Sequence, residues 1–175
     1  MTKHKVFISF YHEDDQRYKN CLDKMFEDKV INKSVSYDDS DEYIKRLIRE
    51  EKITDSSVII VLVGKKTRER KHVDWEIYAG LRKSVNGRAG LVGVYLPEVE
   101  DRSDREKFLP KRLKDNVDSG YAVMMDWENI SWTQTLSESF IREFKDKVNW
   151  KGISYKQTLS EDFIREFKDK VDWKA

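Results

Sequence analysis

The run Val58-Ile59-Ile60-Val61-Leu62-Val63 constrains this 175-residue chain more than any other feature. It is wholly apolar and rich in β-branched side chains, so as a strand it has no polar face to turn toward water. Such a strand must be covered on both sides, as in the centre of a parallel sheet with helices packed above and below. Gly64 ends the run.

The rest of the chain supplies the matching pieces. Residues 6–10 (VFISF) form a first strand. Residues 13–28 form a helix, with Tyr18, Cys21, Leu22, Met25 and Phe26 at helical spacing. Residues 34–37 form a weaker second strand that runs into the turn-like segment 38–41, and a helix carrying Ile44, Leu47, Ile48 and Ile53 follows. Beyond the central strand the pattern predicts a helix over 73–83, a strand over 90–96 stopped by Pro97, a short helix near 109–113 and a strand over 121–125. Strands alternating with helices imply a parallel sheet with right-handed crossovers. Five strands suggest an α/β, flavodoxin-like arrangement in spatial order 2-1-3-4-5, with helices on both faces. In such a sheet the ligand crevice lies beyond the carboxyl ends of strands 1 and 3.

Composition excludes several classes. Thirty-four Lys and Arg against 33 Asp and Glu give a net charge of +1, so nothing electrostatic points to nucleic acid or an acidic membrane. No apolar run approaches transmembrane length and no signal-peptide core follows the N-terminus, so a cytoplasmic location is expected. The lone cysteine, Cys21, falls on the apolar face of the first helix and is expected to be a small buried hydrophobe. Histidines at 4, 12 and 72 have no metal-ligand spacing, so no metal is expected.

The C-terminal part is a direct duplication. Residues 130–151 and 153–174 are offset by 23 positions and differ only at Trp132/Tyr155, Thr133/Lys156, Ser139/Asp162 and Asn149/Asp172. Each copy has an apolar stripe, Leu136, Phe140, Ile141, Phe144 and Val148 in the first. Each also has a capping-box pattern, Thr135 with Glu138 and Thr158 with Glu161. The expected organisation is a domain over 1–151, closed by the first copy, and a duplicated C-terminal helix over 152–175. The second copy is expected to pack on the first, or on another protomer in a homo-oligomer.

Two stretches carry a resemblance. One is the first strand and its exit, Val6-Phe7-Ile8-Ser9-Phe10-Tyr11-His12-Glu13-Asp14. The other is the third strand with Gly64-Lys65-Lys66-Thr67, followed by Val73-Asp74-Trp75-Glu76-Ile77. In order and spacing, over about residues 4–126, these resemble the TIR-like domain of the bacterial Thoeris anti-phage systems. The resemblance implies an enzyme that takes NAD as substrate rather than as cofactor. It would cleave the nicotinamide–ribose bond and make a cyclic or modified ADP-ribose signal. That diffusible nucleotide would activate a separate effector after a phage trigger, and such enzymes are often silent until triggered.

The resemblance places the catalytic carboxylate at Glu76. It matches Thr67 to the family's threonine and Asp14 to its acidic residue after the first strand. The expected substrate-binding residues are Ser9, Phe10, Tyr11, His12, Thr67 and Trp75, with Asp38 and Ser40 in the loop after the second strand. The residue types suit that chemistry: a carboxylate stabilises an oxocarbenium-like ribosyl centre, and aromatic rings stack on nicotinamide or adenine. No glycine-rich phosphate loop is present, so the chain is not an ordinary dinucleotide-binding domain.

Plainer roles stand beside these. A glutamate in a first helical turn also suits the helix dipole, Trp75 also suits packing, and His12 and His72 suit solvent. Two other functions compete. A non-catalytic TIR-type adaptor or sensor would act by protein–protein assembly. A phosphoacceptor receiver domain shares the strand order, and Asp14 and Asp15 could serve as its acidic pair, but it needs an aspartate at the end of strand 3, where this chain has Val63-Gly64.

Overall fold

The structure, a computed structural model, describes residues 4–26, 30–33, 53, 56–82, 88–99, 102–133, 136–146 and 148–172. The chain divides into two compact units, Met1–Met125 and Asp126–Ala175.

The first unit is an α/β fold. Its elements are β1 (His4–Ser9), α1 (His12–Phe26), β2 (Val30–Lys33), β3 (Val58–Val63), a 3-10 turn (Thr67–Glu69), α2 (Lys71–Leu81), β4 (Gly90–Tyr95), a second 3-10 turn (Arg105–Phe108), α3 (Lys111–Asp118) and β5 (Val123–Asp126), the last ending at the division. The strands lie in the order β2-β1-β3-β4-β5. Parallel ladders join β1 to β2, β1 to β3 and β3 to β4, pairing Phe7 with Ile59, Ser9 with Val61 and Ile59 with Leu91.

The second strand lies earlier than expected. Residues 34–37 fall outside the described residues, as do 38–41 and most of the helix expected after them. The strand that pairs with β1 is Val30–Lys33, which begins with a Val-Ile pair better suited to a ladder.

Side-chain alternation divides the sheet into two faces. Phe7, Ile59, Val61 and Val63 point to one face and are buried with Val73 and Ile77 of α2, Leu91 and Tyr95 of β4, and Leu113 of α3. Ile8 and Leu62 point the other way and are equally buried, as are Tyr18, Cys21, Leu22 and Met25 along one side of α1. The apolar run 58–63 is therefore covered on both faces, as its composition requires.

Helix α2 lies close against the sheet at Gly80. A Cβ there would stand 1.7 Å from Ile59 Cδ1 and 3.2 Å from Ile53 Cγ2, both in fully buried side chains. The Gly80→Ala variant is expected to lose about 1–3 kcal/mol despite the better helix propensity of alanine, because the clash displaces a packed core. A lowered midpoint in chemical or thermal unfolding checks this; a midpoint at or above that of the wild type contradicts the tight contact.

The second unit contains α4 (Trp127–Thr133), α5 (Glu138–Glu143), α6 (Trp150–Lys156) and α7 (Glu161–Glu166). Both helix starts move by the same 23 residues, from Trp127 to Trp150 and from Glu138 to Glu161. The repeating unit is thus two short helices rather than one, and it begins at a tryptophan. The caps also differ from expectation. Ser137 accepts the backbone N–H of Phe140 and Ser160 that of Phe163, so each helix starts two residues beyond the expected threonine. Both copies lie in this unit.

Candidate functional site

The site is assembled at the carboxyl ends of β1 and β3. Ser9 is the last residue of β1 and, by alternation, shares the face of Phe7, the side that α2 covers. On α2 the buried positions are Val73, Glu76, Ile77 and Gly80, a single stripe facing the sheet. Glu76 therefore occupies a place where helical periodicity calls for an apolar residue. The Ser9 hydroxyl donates to Glu76 Oε2 at 2.5 Å, and the two residues are 1% and 2% exposed. A buried carboxylate needs such donors, because desolvating its charge is costly without them.

Residues 10–12 continue from β1 into α1. Phe10 is fully buried and its ring stands 4.1 Å from that of His12, which in turn lies 6.4 Å from His72. Tyr11 is buried, with its hydroxyl donating to Glu13. The Arg70 guanidinium covers the Tyr11 ring at 3.8 Å and Lys66 Nζ stands 5.7 Å from it. Ser9, Phe10, Tyr11 and His12 thus converge with Glu76 and the basic loop after β3.

Thr67 is also buried at this end of the sheet, but its hydroxyl works inside the loop. It accepts from the Gly64 backbone N–H at 2.8 Å and donates to the Leu62 carbonyl at 3.2 Å, which fixes the path from β3 into α2. Trp75 is 42% exposed, so it is a surface ring beside Glu76 and not a packing residue. Asp38 and Ser40 lie outside the described residues.

Asp15 is not among the site residues expected from the resemblance. Asp14, the residue matched by resemblance, is half exposed and pairs with Lys66 at 3.0 Å. Its neighbour Asp15 is 4% exposed, and a Cβ on Gly64 would stand 2.8 Å from Asp15 Oδ1, so the carboxyl packs directly on the exit of β3. Asp15 lies on the buried stripe of α1 with Tyr18, Leu22 and Met25, a signal that was present in the spacing. Burial raises its pKa to about 7, and the nearby charges of Glu98 and Asp14 push in the same direction. Glu98 itself is held low: burial alone would raise it, but hydrogen bonds from Tyr18 (2.8 Å) and Arg17 (2.6 Å) outweigh that effect. Among the described residues no cluster of His, Cys, Asp and Glu is arranged to hold a metal ion.

The family of this fold and site is shown by sequence. The profile of the Thoeris protein ThsB, TIR-like domain, matches residues 7–101, more than half of the chain and all of the site just described. The chain belongs to that family. Two solved structures are similar to it in outline. One is the TIR domains of the activated Roq1 resistosome that directly recognizes the pathogen effector XopQ, at 15% identity and TM-score 0.43, covering 67% of this chain and 75% of that one. The other is a conserved protein from Enterococcus faecalis V583, at 13% identity and TM-score 0.46, covering 97% of this chain and all of that one. No curated protein matches the sequence.

The raised pKa of Asp15 has a signed consequence. Below its ordinary value of 3.8 it is protonated whether folded or not. Between there and about pH 7 the folded protein keeps a proton that the unfolded chain has released, so stability falls as pH rises and then levels off. The Asp15→Asn variant should lose this slope and gain on the order of 1–3 kcal/mol at pH 8, with little change at pH 4. Unfolding midpoints across pH 4–8 test this; parallel curves for the two proteins would reject it.

Proposed function

We propose that this TIR-like protein cleaves NAD at the nicotinamide–ribose bond and converts the ADP-ribosyl part into a cyclic or otherwise modified nucleotide, a diffusible signal to a separate effector in anti-phage defence. The observation that carries this reading is the Ser9–Glu76 pair, a buried carboxylate held by a hydroxyl where β1 and β3 end.

The chemistry needs little more. As the C1′–N bond breaks, its electron pair leaves with the nicotinamide nitrogen, which becomes a neutral base and needs no general acid. The positive charge left on C1′ is shared with the ring oxygen. A carboxylate fixed nearby stabilises that charge, most strongly where water is excluded. Glu76 is the proposed catalytic carboxylate. Ser9 orients it by holding one oxygen, and the fixed carboxylate is to meet the ribose hydroxyls and the developing charge. Exposed Trp75 offers a stacking surface for nicotinamide or adenine, as does half-buried His12, which is backed by the buried ring of Phe10. Lys66 and Arg70, over the Tyr11 ring, add positive charge suited to the pyrophosphate. Capture of C1′ by water gives ADP-ribose, and capture by a nucleophile within the same molecule gives a cyclic product.

Nicotinamide release from NAD, with lysate of phage-infected cells added, tests the reading directly. Glu76→Gln should lower turnover by at least about 100-fold. Ser9→Ala should lower it by about 10–100-fold, chiefly in kcat, because the carboxylate survives but loses its orientation. Equal turnover in the wild type and Glu76→Gln would remove Glu76 from the chemistry. A wild type without turnover, under conditions where a related TIR enzyme is active, would favour an adaptor that acts by assembly.

A further inference from the structure

Arg70 has a fixed backbone and an unanswered side chain. Its N–H donates to the Thr67 carbonyl at 3.1 Å, and its own carbonyl accepts from Val73 at 3.1 Å and Asp74 at 3.4 Å. The side chain takes no part in capping α2. Its Nε is shut off from water and has no acceptor, and among the described residues the guanidinium makes no hydrogen bond and no ion pair. What it does touch is the buried Tyr11 ring, with Cζ 3.8 Å from the centroid. The carboxylates around that ring are engaged elsewhere. Glu13 accepts the Tyr11 hydroxyl, and Asp14 pairs with Lys66 at 3.0 Å.

Stacking explains only the ring contact. A guanidinium nitrogen taken out of water without an acceptor carries a desolvation cost that a methionine in the same place would avoid. A buried donor left in this way marks a place for an acceptor from outside the chain. The guanidinium stays charged at any physiological pH, so that acceptor is an anion. Its planar fork matches pairs of phosphate oxygens, which a lysine meets only as a point charge. Lys66 stands 5.7 Å from the same ring, but Asp14 already matches its charge.

We propose that Arg70 is the anchor for the diphosphate of the nucleotide. Its fork takes the phosphate oxygens, Tyr11 holds the guanidinium in place, and this contact keeps the ADP-ribosyl part bound after the nicotinamide–ribose bond has broken. The assignment rests on the reading of NAD as substrate and deepens it: Arg70, and not Lys66, selects a ligand that carries a diphosphate.

Isothermal titration of ADP-ribose into the full chain, with inorganic pyrophosphate as competitor, tests this. The wild type is expected to bind ADP-ribose, and pyrophosphate should displace it. Arg70→Met, which keeps an unbranched side chain over the Tyr11 ring, should weaken ADP-ribose binding by about 10–100-fold and abolish the competition. Arg70→Lys restores the charge without the fork and guards against a loss through misfolding; its affinity should fall between the two. Lys66→Met should weaken binding by no more than about threefold, because its charge is already paired at the surface. A wild type that binds ADP-ribose no better than Arg70→Met, pyrophosphate that does not compete, or an equal loss in Lys66→Met and Arg70→Met would each overturn the proposal. ADP-ribose has no nicotinamide to lose, so its binding is read apart from turnover. A protein that holds ADP-ribose through Arg70 but leaves NAD intact would sink the cleavage reading alone. One that cleaves NAD and binds ADP-ribose equally well in the wild type and Arg70→Met would sink the anchor alone.

Discussion

Helix α2 lies where it does because residue 80 has no side chain. With Ile59 filling the space that a Cβ would need, the helix approaches β3 closely. One turn earlier on the same stripe, the same approach sets Glu76 against the end of β1. Loop closure contributes from the other end of the helix. Thr67 bonds to the Gly64 N–H and the Leu62 carbonyl and so ties the start of α2 to the last residues of the central strand. The carboxylate is thus located by a packing contact below it and a hydrogen-bonded turn above it. Neither depends on a ligand.

Two acidic side chains, Glu76 and Asp15, sit on buried helical stripes at this end of the sheet. Each replaces an apolar residue that would have stabilised the fold by burial, and each carries a desolvation cost. The protein treats them differently. Glu76 receives a hydroxyl, whereas burial first, and then the charges of Glu98 and Asp14, push Asp15 toward the neutral form. Local rules broken in this way, at one place and on two separate helices, mark a site kept for a purpose other than stability.

Much of the first unit was legible because burial leaves a periodic trace. The apolar run 58–63 announced a strand covered on both faces, and the stripes of α1 and α2 announced which sides of those helices face inward. The same periodicity could have found Asp15, which lies in register with Tyr18, Leu22 and Met25; the resemblance directed attention to Asp14 instead. The second strand was harder. At Val30–Lys33 only two residues are apolar, and the more alternating segment at 34–37 looked more like a strand. The helix caps were misplaced for a related reason. Threonine and serine two residues apart both fit the cap chemistry, and only the backbone decides that Ser137 and Ser160 hold the position.

The repeat is where sequence and structure differ most in meaning. Near-identity over residues 130–151 and 153–174 suggested a copied helix looking for a place to pack. Helices of six or seven residues, such as α5, α6 and α7, cannot hold themselves together in water, so each must draw its stability from neighbours. Much of that support is visible between the copies, where Arg142, Glu138 and Asp146 of one grip Phe163, Ser160 and Lys170 of the next. A duplication that copies such a unit also copies both sides of its contact.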